Sequence, residues 1–158
     1  MKAILPSLAL ILSVGFGSVS LAAPQSKQVA GLFVEMCLGQ YGDYSSFRKI
    51  LEDWGFELAP YGDWETATEF EFGHPESNIW GGFEIVSESP GCAFYHGDIA
   101  DNEMADFAQK IVRDFTGIEP KSWAYNGGDA SAWTAPYQGE ILYVFFNSNG
   151  LAIDTRSE

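Results

Sequence analysis

The sequence predicts a single α+β domain in which one antiparallel sheet carries helices on one of its faces. Three observations favour this class. Some segments place apolar residues at helical spacing, others alternate apolar and polar residues, and two parts of the chain resemble each other. Residues 23–158, which follow a predicted signal peptide, are long enough for one domain with its own core.

Residues 1–22 have the composition of a cleaved signal peptide. Lys2 precedes an uncharged apolar run from Ile4 to Phe16, and Ser20 and Ala22 are the small residues of a cleavage site after Ala22. The run is shorter than the about 20 apolar residues that a membrane-spanning helix needs. The sequence therefore predicts an exported protein, periplasmic or secreted, with no membrane attachment after cleavage.

Three helices are predicted from apolar residues that recur at i, i+3, i+4 and i+7. A glycine follows each stripe and is typical of a helix end. The stripes are Val29, Leu32, Phe33, Met36 and Cys37; Phe47, Ile50, Leu51 and Trp54; and Met104, Phe107, Ala108, Ile111, Val112 and Phe115, with Gly39, Gly55 and Gly117 at their ends. Each helix thus has one apolar side that can pack on a sheet.

Strands are predicted where apolar and polar residues alternate. The alternating sets are Phe70 and Phe72 against Glu69 and Glu71, and Phe83 and Ile85 against Trp80 and Glu84. Shorter strands are predicted in "KSWAY" and "SAWTAPY". If the first two strands are neighbours, Glu69, Glu71, Trp80 and Glu84 share one side of the sheet.

The end of the chain is predicted to be a β-hairpin. Asn149-Gly150 suits a type I′ turn, which would pair Phe146 with Ile153 and Val144 with Thr155. The hairpin is apolar on both sides, with Leu142, Val144, Phe146 and Ile153 on one face and Ile141, Tyr143 and Phe145 on the other. Such a strand is either covered on both faces or leaves an apolar patch.

An internal repeat is predicted from two similar stretches. "KILEDWGFE" (49–57) resembles "KIVRDFTGIE" (110–119) with one insertion, and aromatic strands follow both. We interpret this as a duplicated α-β-β-β unit, with pseudo-repeats at about 43–98 and 101–156. The two units would share one sheet because each is too small to bury its own apolar face.

The two cysteines predict one disulfide, between Cys37 and Cys92, since an exported protein meets oxidising conditions. Cys92 and His96, in "GCAFYHGD", lie four residues apart in a predicted strand. That spacing is roughly 13 Å at about 3.3 Å per residue, too far for both side chains to bind one zinc ion. The sequence predicts a structural role for this stretch and no metal site.

No set of catalytic residues stands out. His74 and His96 are the only histidines, and the chain has no G-x-S-x-G, phosphate loop, dinucleotide fingerprint or H-E-x-x-H motif. We therefore expect a binding protein without a cofactor, and not an enzyme.

The charge indicates the class of partner. Without residues 1–22 the chain has seven basic and 22 acidic residues, a net charge of −15. Such a surface repels nucleic acid and anionic lipid and attracts cations or a basic protein. The sequence predicts an exported acidic protein that binds or inhibits a basic partner protein, or binds a cationic ligand. The predicted contact residues are Glu69, Glu71, Trp80 and Glu84, followed by Tyr143 and Phe145.

Two other functions remain open. A carbohydrate-binding or hydrolytic domain would use Trp80, Trp123 or Trp133 together with the carboxylates, and exposed coplanar tryptophans over a groove would favour it. A structural or assembly protein would dimerise through the C-terminal hairpin, and a concentration-dependent mass would favour that. The sequence leaves the oligomeric state and the identity of the partner open.

Overall fold

The fold is described from a computed structural model, which covers residues 25–41, 44–85, 91–97, 99, 101–124 and 131–156. The predicted signal peptide, residues 1–22, and the repeat boundaries at 43 and 98 lie outside these residues. Within them, no helix is long and apolar enough to cross a membrane.

One antiparallel sheet of eight strands forms the centre of the fold, which confirms the α+β class. The strands are β1 (Glu57–Pro60), β2 (Glu69–His74), β3 (Ile79–Glu84), β4 (Cys92–His96), β5 (Lys121–Ala124), β6 (Ser131–Tyr137), β7 (Glu140–Asn147) and β8 (Gly150–Arg156). Their order across the sheet is β1-β2-β3-β4-β8-β7-β6-β5.

The helices lie where the apolar stripes predict them. They are α1 (Gln25–Leu32), α2 (Phe47–Asp53) and α3 (Asp101–Thr116), and α1 continues as a π-helix over Phe33–Leu38. The φ values are 86° at Gly55, two residues past the end of α2, and 71° at Gly117, directly after α3. Glycine reaches this left-handed conformation without a steric cost, so both helices end there.

All three helices pack on the same face of the sheet. Their apolar stripes and the inward side chains of the strands form one buried cluster, in which Phe33, Phe47, Val112 and Phe94 are fully buried. Trp54 is the exception, because it is exposed although the spacing assigns it to the buried stripe of α2.

The Cys37–Cys92 disulfide is present, as predicted. It joins the π-helix to β4, and both residues are buried in the core. His96 is buried on the same face of β4. Because the Cys92 sulfur is bonded to Cys37, it is not available to bind a metal together with His96.

The strand order is symmetric about the middle of the sheet. Helix α2 precedes β1 to β4, α3 precedes β5 to β8, and β4 and β8 meet at the centre. The predicted units of three strands are therefore wrong in their count, since each helix is followed by four strands. The additional strand in the first half is β1, which has only four residues and ends in Pro60.

The register of the final hairpin differs from the prediction. Asn147 pairs with Gly150 and Val144 pairs with Ile153, so the turn is Ser148-Asn149. Neither turn residue has a positive φ, which rules out a type I′ turn. The Asn147 Oδ1 atom accepts hydrogen bonds from the backbone N–H groups of Asn149 and Gly150, both at 2.9 Å. The pairing partners on β8 differ from the predicted ones by two residues, so every side chain keeps its predicted face.

Candidate functional site

The face of the sheet opposite the helices, here called the open face, has no helix or strand over it in the described part of the chain. Side chains alternate along each strand, so the neighbours of buried core residues project from the open face. All six predicted contact residues do so, namely Glu69, Glu71, Trp80, Glu84, Tyr143 and Phe145. Their role in binding stays a prediction.

A shallow cleft crosses the middle strands of the open face. The register places Gly82, Ala93 and Ala152 side by side on β3, β4 and β8. These small residues form the floor of a cleft of about 350 Å³, which Trp80 and Tyr95 border together with the carboxylates of Glu69, Glu71 and Glu84.

Four carboxylates gather on β1, β2 and β3, and we call Glu57, Glu69, Glu71 and Glu84 the acidic patch. Glu69 lies directly opposite Glu84 in the β2–β3 ladder, an arrangement of like charges that destabilises a sheet. Within the described residues no lysine or arginine forms an ion pair with the patch. The lysines and arginines that form ion pairs in the described chain do so with carboxylates outside the patch, namely Glu52, Asp53, Asp114 and Asp154.

Trp80 is the aromatic residue at the centre of the patch. The residue is 46% exposed, and one face of its ring stacks on Tyr95 with the ring centroids 4.4 Å apart and an angle of 25° between the planes. Burial raises the pKa of Tyr95. A second cleft, of about 480 Å³, lies beside Trp80 over Gly73, and Glu57 and Glu71 line it.

Tyr61 positions one of these carboxylates. Its hydroxyl donates a hydrogen bond to Oε1 of Glu71. That bond raises the pKa of Tyr61 above its usual value. Among the described residues no hydrogen bond reaches the second carboxylate oxygen of Glu71, which can accept one from a ligand.

Tyr143 and Phe145 form a separate aromatic cluster in the other half of the open face. Their rings stack with centroids 5.8 Å apart, and Trp123 meets them edge-on. The guanidinium of Arg156 lies 5.3 Å from the Tyr143 ring centroid, and its Nε donates to Asp154 Oδ2 at 2.9 Å. The apolar side of the hairpin is thus partly covered by a cation of the same chain.

The three tryptophans of the carbohydrate hypothesis do not share a groove. Trp133 lies on the helix side of the sheet, where its indole N–H donates to the Ala105 carbonyl at 3.0 Å. Trp80 and Trp123 both project from the open face, but five strand spacings separate β3 from β5, roughly 24 Å.

Sequence reasoning missed Glu57, Tyr61, Gly73 and Tyr95 as site residues. Glu57 lies two positions after Gly55, where a strand can begin once the helix has ended. With only four residues, however, β1 is too short to show an alternation of apolar and polar side chains. Tyr95 alternates with Cys92, Phe94 and His96, and this alternation was the available signal for its place on the open face.

Comparisons of the chain with protein-family models, with curated proteins and with solved structures give no match. Among the described residues, no group of three or more His, Cys, Asp or Glu side chains could hold a metal ion.

Proposed function

We propose that the protein is an exported, acidic binding protein whose open face docks a basic partner protein. The observation that carries the proposal is the acidic patch around the exposed ring of Trp80, which no cation of the described chain neutralises. The proposed role is binding or inhibition of the partner, and not catalysis.

The proposal accounts for the repulsion within the patch. Glu69 and Glu84 face each other on adjacent strands, and a docked lysine or arginine would relieve that repulsion. The net charge of −14 for the full chain attracts a basic protein over a distance and increases the rate of encounter. Trp80 then supplies the aromatic anchor that such interfaces commonly have at their centre.

Export and duplication belong to the same proposal. The disulfide is typical of an oxidising compartment and supports the predicted signal peptide. The symmetric strand order, with Gly55 and Gly117 in equivalent conformations after α2 and α3, supports the internal duplication.

The two alternative functions have less support from the geometry. A sugar platform made of several tryptophans lacks a common groove, because Trp133 packs under α3. Dimerisation through the hairpin would have to displace or incorporate Arg156, which already covers Tyr143 and Phe145.

Charge reversal in the patch tests the proposal. We expect the double variant Glu69→Lys/Glu71→Lys to bind octalysine at least about tenfold more weakly than the wild type at low salt, because two attractive charges become repulsive. Isothermal titration calorimetry measures the affinity. The melting temperature should not fall greatly, since the lysine introduced on β2 would face Glu84 and remove the like-charge pair.

A matched variant separates the patch from the overall charge. Asp106→Lys/Glu119→Lys makes the same change in net charge at exposed positions on and after α3. It should retain most of the affinity. Equal losses in both variants would mean that octalysine responds only to net charge, and the docking face would then be wrong.

A further inference from the structure

We propose that the cleft over Gly73 is a pocket for an arginine side chain, with the guanidinium stacked on the free face of Trp80 and paired with Glu57 and Glu71. The inference rests on the proposed function and names the side chain of the basic partner that this part of the open face recognises. Three features of the described chain lead to it.

The first feature is Gly73 itself. Glycine inside a strand costs about 0.5–1 kcal/mol relative to alanine, so it usually marks a bulge or a close approach. Gly73 has no positive φ, and a Cβ atom built on it would meet nothing within 4 Å. Neither the backbone nor the packing of the described residues requires glycine here, and its effect is to keep the space above the strand open.

The second feature is the pair of side chains on either side of that space. Gly73 lies directly opposite Trp80 on β3 and directly opposite Glu57 on β1. Two strand spacings separate these neighbours, roughly 9.5 Å, which leaves room for one planar group between a ring and a carboxylate. Since Tyr95 occupies one face of the Trp80 ring, the other face is the one that borders this cleft.

The third feature is how the chain uses its own arginines. Two of its three arginines lie over aromatic rings, Arg48 at 4.6 Å from the ring centroid of Trp64 and Arg156 at 5.3 Å from that of Tyr143. Arg156 also pairs with a carboxylate, Asp154, on the open face. Trp80 has the ring and the carboxylates of this arrangement but no cation from the described chain.

The geometry favours arginine over lysine. A guanidinium is planar, so it can stack on an indole and direct N–H groups sideways to carboxylates at the same time. An ammonium group is a strongly hydrated point charge and gains less from the ring face. Glu57 lies opposite Gly73 on β1, and Glu71 lies two residues before Gly73 on β2. Both carboxylates project from the open face and can accept these N–H groups.

The test compares two peptides of equal charge, one alternating arginine with glycine and one alternating lysine with glycine. We expect the arginine peptide to bind the wild type about fivefold or more tightly than the lysine peptide at low salt, and to quench the fluorescence of Trp80. Trp80→Phe identifies the tryptophan responsible, because it should remove that fluorescence change.

The variant Gly73→Thr fills the pocket without disturbing the fold. Under the proposed duplication β6 corresponds to β2, and Thr134 lies opposite Tyr143 there as Gly73 lies opposite Trp80. A Cβ atom on Gly73 would meet nothing within 4 Å, so the substitution begins in open space. We expect the variant to lose the preference for arginine while its melting temperature stays equal or rises. Gly91→Thr is the matched control, since Gly91 lines the other cleft and also has open space above it; it should keep the preference.

The outcomes separate this inference from the proposed function. Equal affinity for both peptides, unchanged by Gly73→Thr, would overturn the arginine pocket while binding to the acidic face remains. No binding of either peptide at low salt would overturn both. A preference for arginine that Gly73→Thr abolishes and Gly91→Thr retains would support the pocket.

Discussion

Removing the Cys37–Cys92 disulfide is expected to lower the free energy of unfolding by about 2–5 kcal/mol. The two cysteines are 55 positions apart, so the bond closes a long loop and restricts the unfolded chain strongly. It also holds the π-helix against β4 at the centre of the sheet. Urea unfolding of Cys37→Ala/Cys92→Ala and of the wild type, without reductant, measures the difference.

Reductant supplies the control for this prediction. The wild type should lose stability when it is reduced, whereas the alanine variant should not respond. If the oxidised wild type and the variant unfold at the same urea concentration with the same slope, the disulfide does not stabilise the fold.

Gly81→Ala is expected to destabilise the protein by about 3 kcal/mol or more, because overpacking a core in which the backbone must move is costly. Gly81 lies in the centre of β3 and faces the core under the ring of Phe72. A methyl group there would overlap the Ala93 carbonyl oxygen, which belongs to the neighbouring strand and cannot rotate away. Thermal unfolding followed by circular dichroism measures the effect.

Gly73→Ala is the matched change on β2, the strand next to β3. Gly73 pairs with Trp80, which directly precedes Gly81. Its methyl group has open space, so we expect a gain of about 0.5–1 kcal/mol where Gly81→Ala brings a loss. A similar response of the two variants would contradict the packing described for β2 and β3.

The helices and strands in which apolar residues recur at regular spacing were predictable from the sequence. The stripes around Phe47 and Val112 give helices that the following glycines end, and the Phe70–Phe72 alternation gives β2 with its carboxylates outward. The cysteine count alone predicts the disulfide, because only one pairing exists within the chain. These features depend on local pattern, which the sequence carries directly.

Features that depend on competing local contacts were not predictable. The Asn147 side chain accepts two backbone hydrogen bonds, and the turn lies one residue earlier than Asn149-Gly150 predicts. The pairing partners on β8 therefore differ by two residues from the predicted ones. Gly150 is needed for the close approach of β4, where a methyl group would overlap the Phe94 carbonyl oxygen. The same glycine therefore has a sequence signal for a turn and a structural role in a strand.

The candidate site was predictable only in part. Glu69, Glu71, Trp80 and Glu84 come together on the open face because β2 and β3 are joined as a hairpin. Glu57 joins them only through the pairing of the short β1, and Gly73 matters for the side chain that it lacks. A glycine adds nothing to the alternation of apolar and polar side chains, so the sequence pattern does not indicate a pocket there. The pocket depends on the side chains that β1 and β3 place on either side of Gly73.

Mapping of a bound cation by NMR tests the central claim most directly. The arginine–glycine peptide is titrated into the ¹⁵N-labelled oxidised protein at low salt. We expect the NMR signals of the indole N–H of Trp80 and of the backbone amides of Glu57 and Gly73 to shift most, while the amide signals of α3 on the opposite side of the sheet do not change. Largest shifts on α3, or no shift at Trp80, would contradict a docking site on the open face.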